Sequence, residues 1–293
     1  MPTLEALRRQ MDSTESLHTV VRTMKVLSMT SIHQCEEAVE SLNHYAKTVR
    51  QGLHIALRHR PHRVPQTDVA PHAPMGALVF GSIWGMCGRF NEQLAEDVAA
   101  DLRARDTSDI AVMTFGEYIG GALESNGWTP DHTEGGPESV EGITRHVQDE
   151  LVHLERWRER DHRRRIVLFY NELQSGTRYS IRVQPLLPLD RDWLRAIEQQ
   201  TWPTRQVPTF RLPWDALFTA LLQQYLFGSV YRAFAESLAS EHSSRLAAMQ
   251  RAETNVEDRL DRLHSQFHRQ RQTAITEEVL DITAGYTAAQ GHR

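Results

Sequence analysis

Hydrophobic positions near the C-terminus recur in alternating steps of three and four. Leu246, Met249, Glu253, Val256, Leu260, Leu263, Phe267, Gln270 and Ala274 form the series. This is heptad a/d spacing, with Glu253 and Gln270 as polar exceptions. The N-terminal tract repeats it at Cys35, Val39, Leu42, Ala46, Val49, Leu53 and Ala56, and Leu4, Leu7 and Met11 begin a similar stripe. Each stripe is narrow, so each predicted helix wants one partner helix rather than a full core. Prolines sharpen the boundaries. None lies in 3–60 and none follows Pro213, whereas RPHRVP, APHAP, QPLLPL, TWPT and FRLP punctuate the middle. Because proline breaks helix interiors, the ends read as long helices over 4–57 and 214–283. Two such helices flanking a domain most simply pair antiparallel.

The middle has a different rhythm. Short apolar runs at 77–80 (ALVF), 110–115 (IAVMTF) and 166–170 (IVLFY) are separated by helical stretches near 91–105 and 138–160, and TRYSIRVQPLLP adds a run with partial alternation. Runs buried on both faces and spaced by helices predict a Rossmann-like α/β domain with a small, largely parallel sheet. The expected organisation is a coiled-coil shaft from 1–60 and 212–293, and an α/β domain over 74–200.

Composition narrows the function. The net charge of −5 argues against nucleic acid as a partner, since phosphate binding wants a basic surface. No apolar run approaches the roughly 20 residues that cross a bilayer, and the start MPTLEALRRQMDS does not read as a signal peptide. Cys35 and Cys87 fit no metal spacing and read as reduced thiols. The histidines of HRPH, 59–62, match no zinc template and lie in a proline-punctuated linker. The loop GSIWGMCGRF follows the first strand, where phosphate loops sit. It is neither GxGxxG nor GxxxxGK[ST], and reads as a tight turn. Arg163, Arg164 and Arg165 read as solvated charge. No motif calls for a cofactor or a metal. One window stands out: FHRQRQTAIT, 267–276, is basic and amide-rich, with no carboxylate between Asp261 and Glu277.

ASEHSSRLAAM (239–249) and RQTAITEEVLDI (271–282), with RTMKVL (22–27), GMCGRFN (85–91), FYNEL and LLPL, resemble the gamma subunit of F-type ATP synthases over nearly the whole chain. There are departures. Ile83 and Trp84 stand where the family has Asp and Arg, Arg89 replaces a glycine, Ser31 and His33 replace basic residues, and His268 replaces an asparagine. The pattern looks like a divergent bacterial branch. The resemblance implies a central rotor shaft, an antiparallel coiled coil turning inside a ring of alpha and beta subunits. It implies an α/β domain contacting epsilon and the membrane c-ring, with no active site of its own. It implies a peripheral position at the cytoplasmic face of the inner membrane. Arg22, Lys25, Arg245, Arg269, Arg271 and Gln272 match positions that meet the ring. Two other readings stay open: a nucleotide-binding α/β enzyme with helical dimerisation arms, and a coiled-coil scaffold unrelated to ATPases.

Overall fold

The computed structural model describes residues 3–59, 69–70, 72–107, 109–159, 165–175, 178–202 and 206–290. His62 of the HRPH stretch, with Arg163 and Arg164, lies outside them. The elements are α1 (Leu4–Arg58), β1 (Met75–Phe80), α2 (Phe90–Arg103), β2 (Ile110–Phe115), α3 (Ile119–Ser125), β3 (His132–Glu134), α4 (Val140–Glu159), β4 (Arg165–Ser175), β5 (Arg178–Leu187), α5 (Arg191–Gln199) and α6 (Trp214–Gln290). Both terminal helices form as the heptads predict. The Thr3 hydroxyl accepts from the Ala6 amide at 3.2 Å and caps α1. Pro213 sets the start of α6, its carbonyl accepting from Leu217 N at 3.1 Å.

The sheet order is β3-β2-β1-β4-β5. β1 pairs in parallel with β2 and β4, β2 pairs in parallel with β3, and β5 closes the other edge antiparallel to β4. The sheet is largely parallel, as expected, with one antiparallel pair at its edge. β4 and β5 pair directly, Ser175 opposite Arg178, with no helix between them. Alternation along each strand sends residues to opposite faces. Leu78, Phe80, Met113, Phe115, Leu168 and Tyr170 pack with α4 and with Val230, Ala233 and Phe234 of α6. Ala77, Val79, Val112, Val167 and Phe169 pack with α2 and α3. Phe234 meets the rings of Phe80 and Phe115 edge-on, at 4.8 and 5.0 Å, so α6 supplies part of the sheet's core.

The chain divides into two compact units, Met1–Leu27 with Ala247–Arg293, and Ser28–Leu246. This division cuts across the one expected from proline spacing. The inner parts of both long helices go with the α/β unit, because they are built into its core. Within that unit α1 and α6 run antiparallel: Arg232 donates to Asn43 Oδ1 at 2.6 Å, Tyr45 bonds Gln224, and Trp214 Nε1 donates to Ala56 O at 2.7 Å. In the other unit they are antiparallel too, with Lys25 against Glu253 and His18 against Glu257.

Candidate functional site

The inward stripe of α1 is continuous at heptad spacing. Leu7, Thr14, Val21, Ser28 and Cys35 are buried, with Leu4, Met11, His18 and Lys25 half-buried between them. On α6 the matching positions are buried Met249, Val256 and Leu263 and half-buried Glu253, Leu260, Phe267 and Gln270. Glu253 is a polar exception for a reason: Lys25 donates to it across the helix pair. That hydrogen bond, chiefly, holds the Glu253 carboxyl below its ordinary range.

Beyond Gln270 the burial stops. Every side chain from 271 to 284 is exposed. Ile275, Val279, Leu280 and Ile282 stand 50, 55, 62 and 67 % exposed on a water-facing helix. Arg269, Arg271 and Gln272 lie at the base of this segment, all exposed. Arg22 is exposed on α1. Among the described residues, no carboxylate comes within ion-pair distance of Arg22, Arg269 or Arg271. Val26 and Leu27 add exposed apolar surface on α1. The structure thus places Arg22 and Lys25 on one helix and Arg269, Arg271 and Gln272 on the other. Lys25 is committed within the chain and the remaining four face outward.

Arg245 is in a different setting. It belongs to the α/β unit and is 3 % exposed. Its guanidinium pairs with Glu241, lies 3.0 Å from His242 Nδ1, and donates to the carbonyls of Trp84 and Gly85 at 3.1 and 3.3 Å. Glu241, 1 % exposed, in turn accepts from the amides of Ile83 and Trp84 at 3.1 and 3.2 Å. The turn GSIWGMCGRF therefore binds an anion, but the anion is this chain's own carboxylate. Ser244 donates to Cys87 O at 2.6 Å and Ser237 to Phe80 O at 2.8 Å, fixing the same turn from both sides. Ser240 donates to Asn171 O at 3.0 Å. Gly88 takes φ 63°, which glycine accepts without a Cβ penalty. Burial pushes the Cys87 thiol up, and pushes Cys35 up to about 12, so both rest un-ionised. A thiol held in that form is a poor nucleophile.

Among the described residues two groups gather potential metal ligands: His18 with Glu253 and Glu257, and Glu134 with Glu150 and His153. In the first, the Lys25 ammonium already sits on Glu253. No helix among the described residues is long and apolar enough to cross a membrane.

A family model described as ATP synthase matches residues 3–289. The chain belongs to the ATP synthase family. Relatives named ATP synthase gamma chain align end to end with it. The one from Pelotomaculum thermopropionicum is 25 % identical over 99 % of this chain and all of its own, and that from Anaeromyxobacter sp. (strain K) is 29 % identical over 98 and 99 %. Among solved structures, a rotor chain of the Euglena gracilis mitochondrial ATP synthase superposes with a TM-score of 0.63 at 15 % identity, covering 93 % of this chain and 98 % of that one. The fold shared with it is the one described above, two long terminal helices around a five-stranded sheet. The family match removes the unrelated scaffold, and the family's function is that of the gamma-type rotor chain.

Proposed function

We propose that the chain is the central shaft of a rotary ATP synthase, carrying torque between a membrane c-ring and a catalytic ring of alpha and beta subunits, and performing no ATP chemistry itself. One observation carries this reading. The α6 segment 271–284 is helical, wholly exposed and studded with apolar side chains that no described residue covers. A lone helix in water cannot bury such surface, so the segment suits a sleeve supplied by other subunits. Apolar contacts there have no fixed register, which lets the shaft turn.

At the base of that segment, Arg269, Arg271 and Gln272 supply charged and neutral donors for carbonyls or carboxylates of the ring, and Arg22 does so from α1. Arginine's planar fork grips such groups from a helix surface. Solvent-exposed pairs are weak, and weak pairs suit contacts that break at each step. Arg245 acts differently in this reading: it holds the turn after β1 in place and so positions the α/β unit. That unit would meet epsilon and the c-ring, with the complex at the cytoplasmic face of the inner membrane. The absence of catalysis is supported at the strand-end turn. The amides of Ile83 and Trp84, where a phosphate would sit, are occupied by Glu241.

The test is Arg271→Ala with Gln272→Ala, reconstituted with alpha and beta subunits. Coupled ATPase rate and torque should fall, while thermal unfolding of the free chain stays within about 0.5 kcal/mol of the parent, as for exposed side chains generally. Unchanged rate and torque would reduce the window to a solvated face.

A further inference from the structure

At the far edge of the sheet a buried carboxylate, Glu150, lies beside half-exposed polar groups without a hydrogen bond that would explain it. β3 carries His132 and Glu134 two residues apart, on one face of the strand. α4 carries Glu150 and His153 three apart, on one face of the helix. Glu134 Oε1 lies 3.0 Å from His132 Nε2 and 3.2 Å from His153 Nδ1, and His153 Nδ1 lies 3.6 Å from Glu150 Oε2. Glu150 is 1 % exposed, and neither of its carboxylate oxygens has a hydrogen-bond partner. His153 Nδ1 has none either, because its approach to Glu134 satisfies the distance but not the direction of a hydrogen bond. Buried carboxylates ordinarily collect donors. This one is aimed instead at an imidazole nitrogen and a second carboxylate.

We propose that Glu134, Glu150 and His153 bind one divalent transition-metal ion of the zinc class, with water in the fourth position. Zinc takes imidazole nitrogen and carboxylate oxygen at about 2.0–2.2 Å, which sets tetrahedral ligand atoms roughly 3.3 Å apart. The separations of His153 Nδ1 from Glu134 and Glu150, 3.2 and 3.6 Å, bracket that value. The ligand atoms of Glu134, Glu150 and His153 all lie within 4.8 Å of one another. His132, 52 % exposed and 3.0 Å from Glu134 Oε1, steadies that carboxylate from outside the set of ligands. The imidazole nitrogen of His153 favours zinc, cobalt or nickel over magnesium or calcium, which prefer oxygen alone. Glu134 and His153 are each 26 % exposed, so an ion can enter from solvent. Bound there, the ion neutralises two adjacent carboxylates and clips β3, a three-residue edge strand, to α4. The role is structural.

The experiment uses the full-length chain, stripped of metal and titrated with zinc by calorimetry and with cobalt by visible absorption. One equivalent should bind with submicromolar affinity, cobalt should give a tetrahedral spectrum, and zinc should raise the thermal midpoint by several degrees. Glu150→Gln and His153→Gln should each weaken zinc binding more than about 100-fold, beyond the 10–100-fold effect of losing an outer partner. Metal-free Glu150→Gln should be at least as stable as the parent, since it removes a buried charge. Zinc binding equal in parent and both variants would put the metal on other histidines and overturn the assignment. So would a parent whose thermal midpoint ignores zinc. If Glu150→Gln destabilises the metal-free chain and leaves the zinc titration unchanged, Glu150 is a packing residue and the site is refuted.

Discussion

Replacing Arg245 by Met should destabilise the free chain by about 3 kcal/mol, and replacing Glu241 by Leu by about 5 kcal/mol, within the range for breaking a buried pair from one side. The asymmetry follows from what each deletion strands. Without Arg245, Glu241 keeps the amides of Ile83 and Trp84. Burial already pushes its carboxyl up, with Arg245 the chief influence holding it down. Losing the arginine lets Glu241 take up a proton, and that limits the cost. Without Glu241, the guanidinium keeps only the Trp84 and Gly85 carbonyls and His242. It cannot shed its charge, and two backbone amides lose their acceptor as well. The double variant should cost clearly less than the sum, with a coupling of about 2 kcal/mol or more, typical of directly bonded partners. Urea unfolding followed by near-ultraviolet dichroism, which reports aromatic packing around the sheet, reads all three variants. The Arg245→Met deficit should also shrink as pH falls. A carboxyl whose folded pKa is raised binds its proton more readily when folded, so acid favours the folded state. A loss below about 1 kcal/mol for Arg245→Met, or strict additivity in the cycle, would refute the view that the Arg245–Glu241 pair anchors this turn.

Two further outcomes follow from neighbouring groups. Burial, with Arg245 adding, pushes His242 down to about 4. Between its ordinary pKa near 6.5 and about 4 the unfolded chain binds a proton that the folded chain refuses, so stability should fall with pH by up to about 3 kcal/mol; His242→Gln should flatten the urea-midpoint profile across that window. Lys25→Met should produce only a small drop in thermal midpoint, because the pair with Glu253 is part-exposed. The depressed Glu253 carboxyl contributes stability above the unfolded carboxylate pKa that is lost as pH falls through the lower folded value, and calorimetry on the variant should show that acid-dependent contribution gone.

The long helices were legible because proline absence and heptad spacing both report backbone geometry directly. Even so, the stripe on α1 looked broken between Met11 and Cys35. Thr14, His18, Lys25 and Ser28 fill the inward positions there, and polar residues carry no hydrophobic signal. Lys25 is tolerated because Glu253 faces it, which also explains the polar exception on the other helix. β3 was invisible for a related reason. HTE is too short and too exposed to show alternation, and it exists through pairing with β2 and the bond from Gly116 N to Glu134 O at 2.9 Å. The direct antiparallel pairing of β4 and β5 was not legible, since a buried run does not declare whether its neighbour is parallel or antiparallel. Glu150 and His153 went unremarked in the sequence, because only the fold brings Glu134 of β3 against them.

The most instructive stretch is 233–245, AFAESLASEHSSR, in which every residue is buried. By composition it is half polar and should be a solvated helix face. It is buried because the polar atoms of the turn and strands it packs against need partners, and α6 delivers them: serine hydroxyls to Phe80 O, Asn171 O and Cys87 O, a carboxylate to two amides, a guanidinium to two carbonyls. None of these matches has a sequence period, since each depends on where a distant backbone group points. The exposed end of α6 presents the converse case. Val279, Leu280 and Ile282 are apolar yet find nothing to bury them among the described residues. A polar run that is buried and an apolar run that is exposed each depart from amphipathic patterning, and each does so where the chain grips something: its own sheet at 233–245, and, in the rotor reading, the surrounding ring at 271–284.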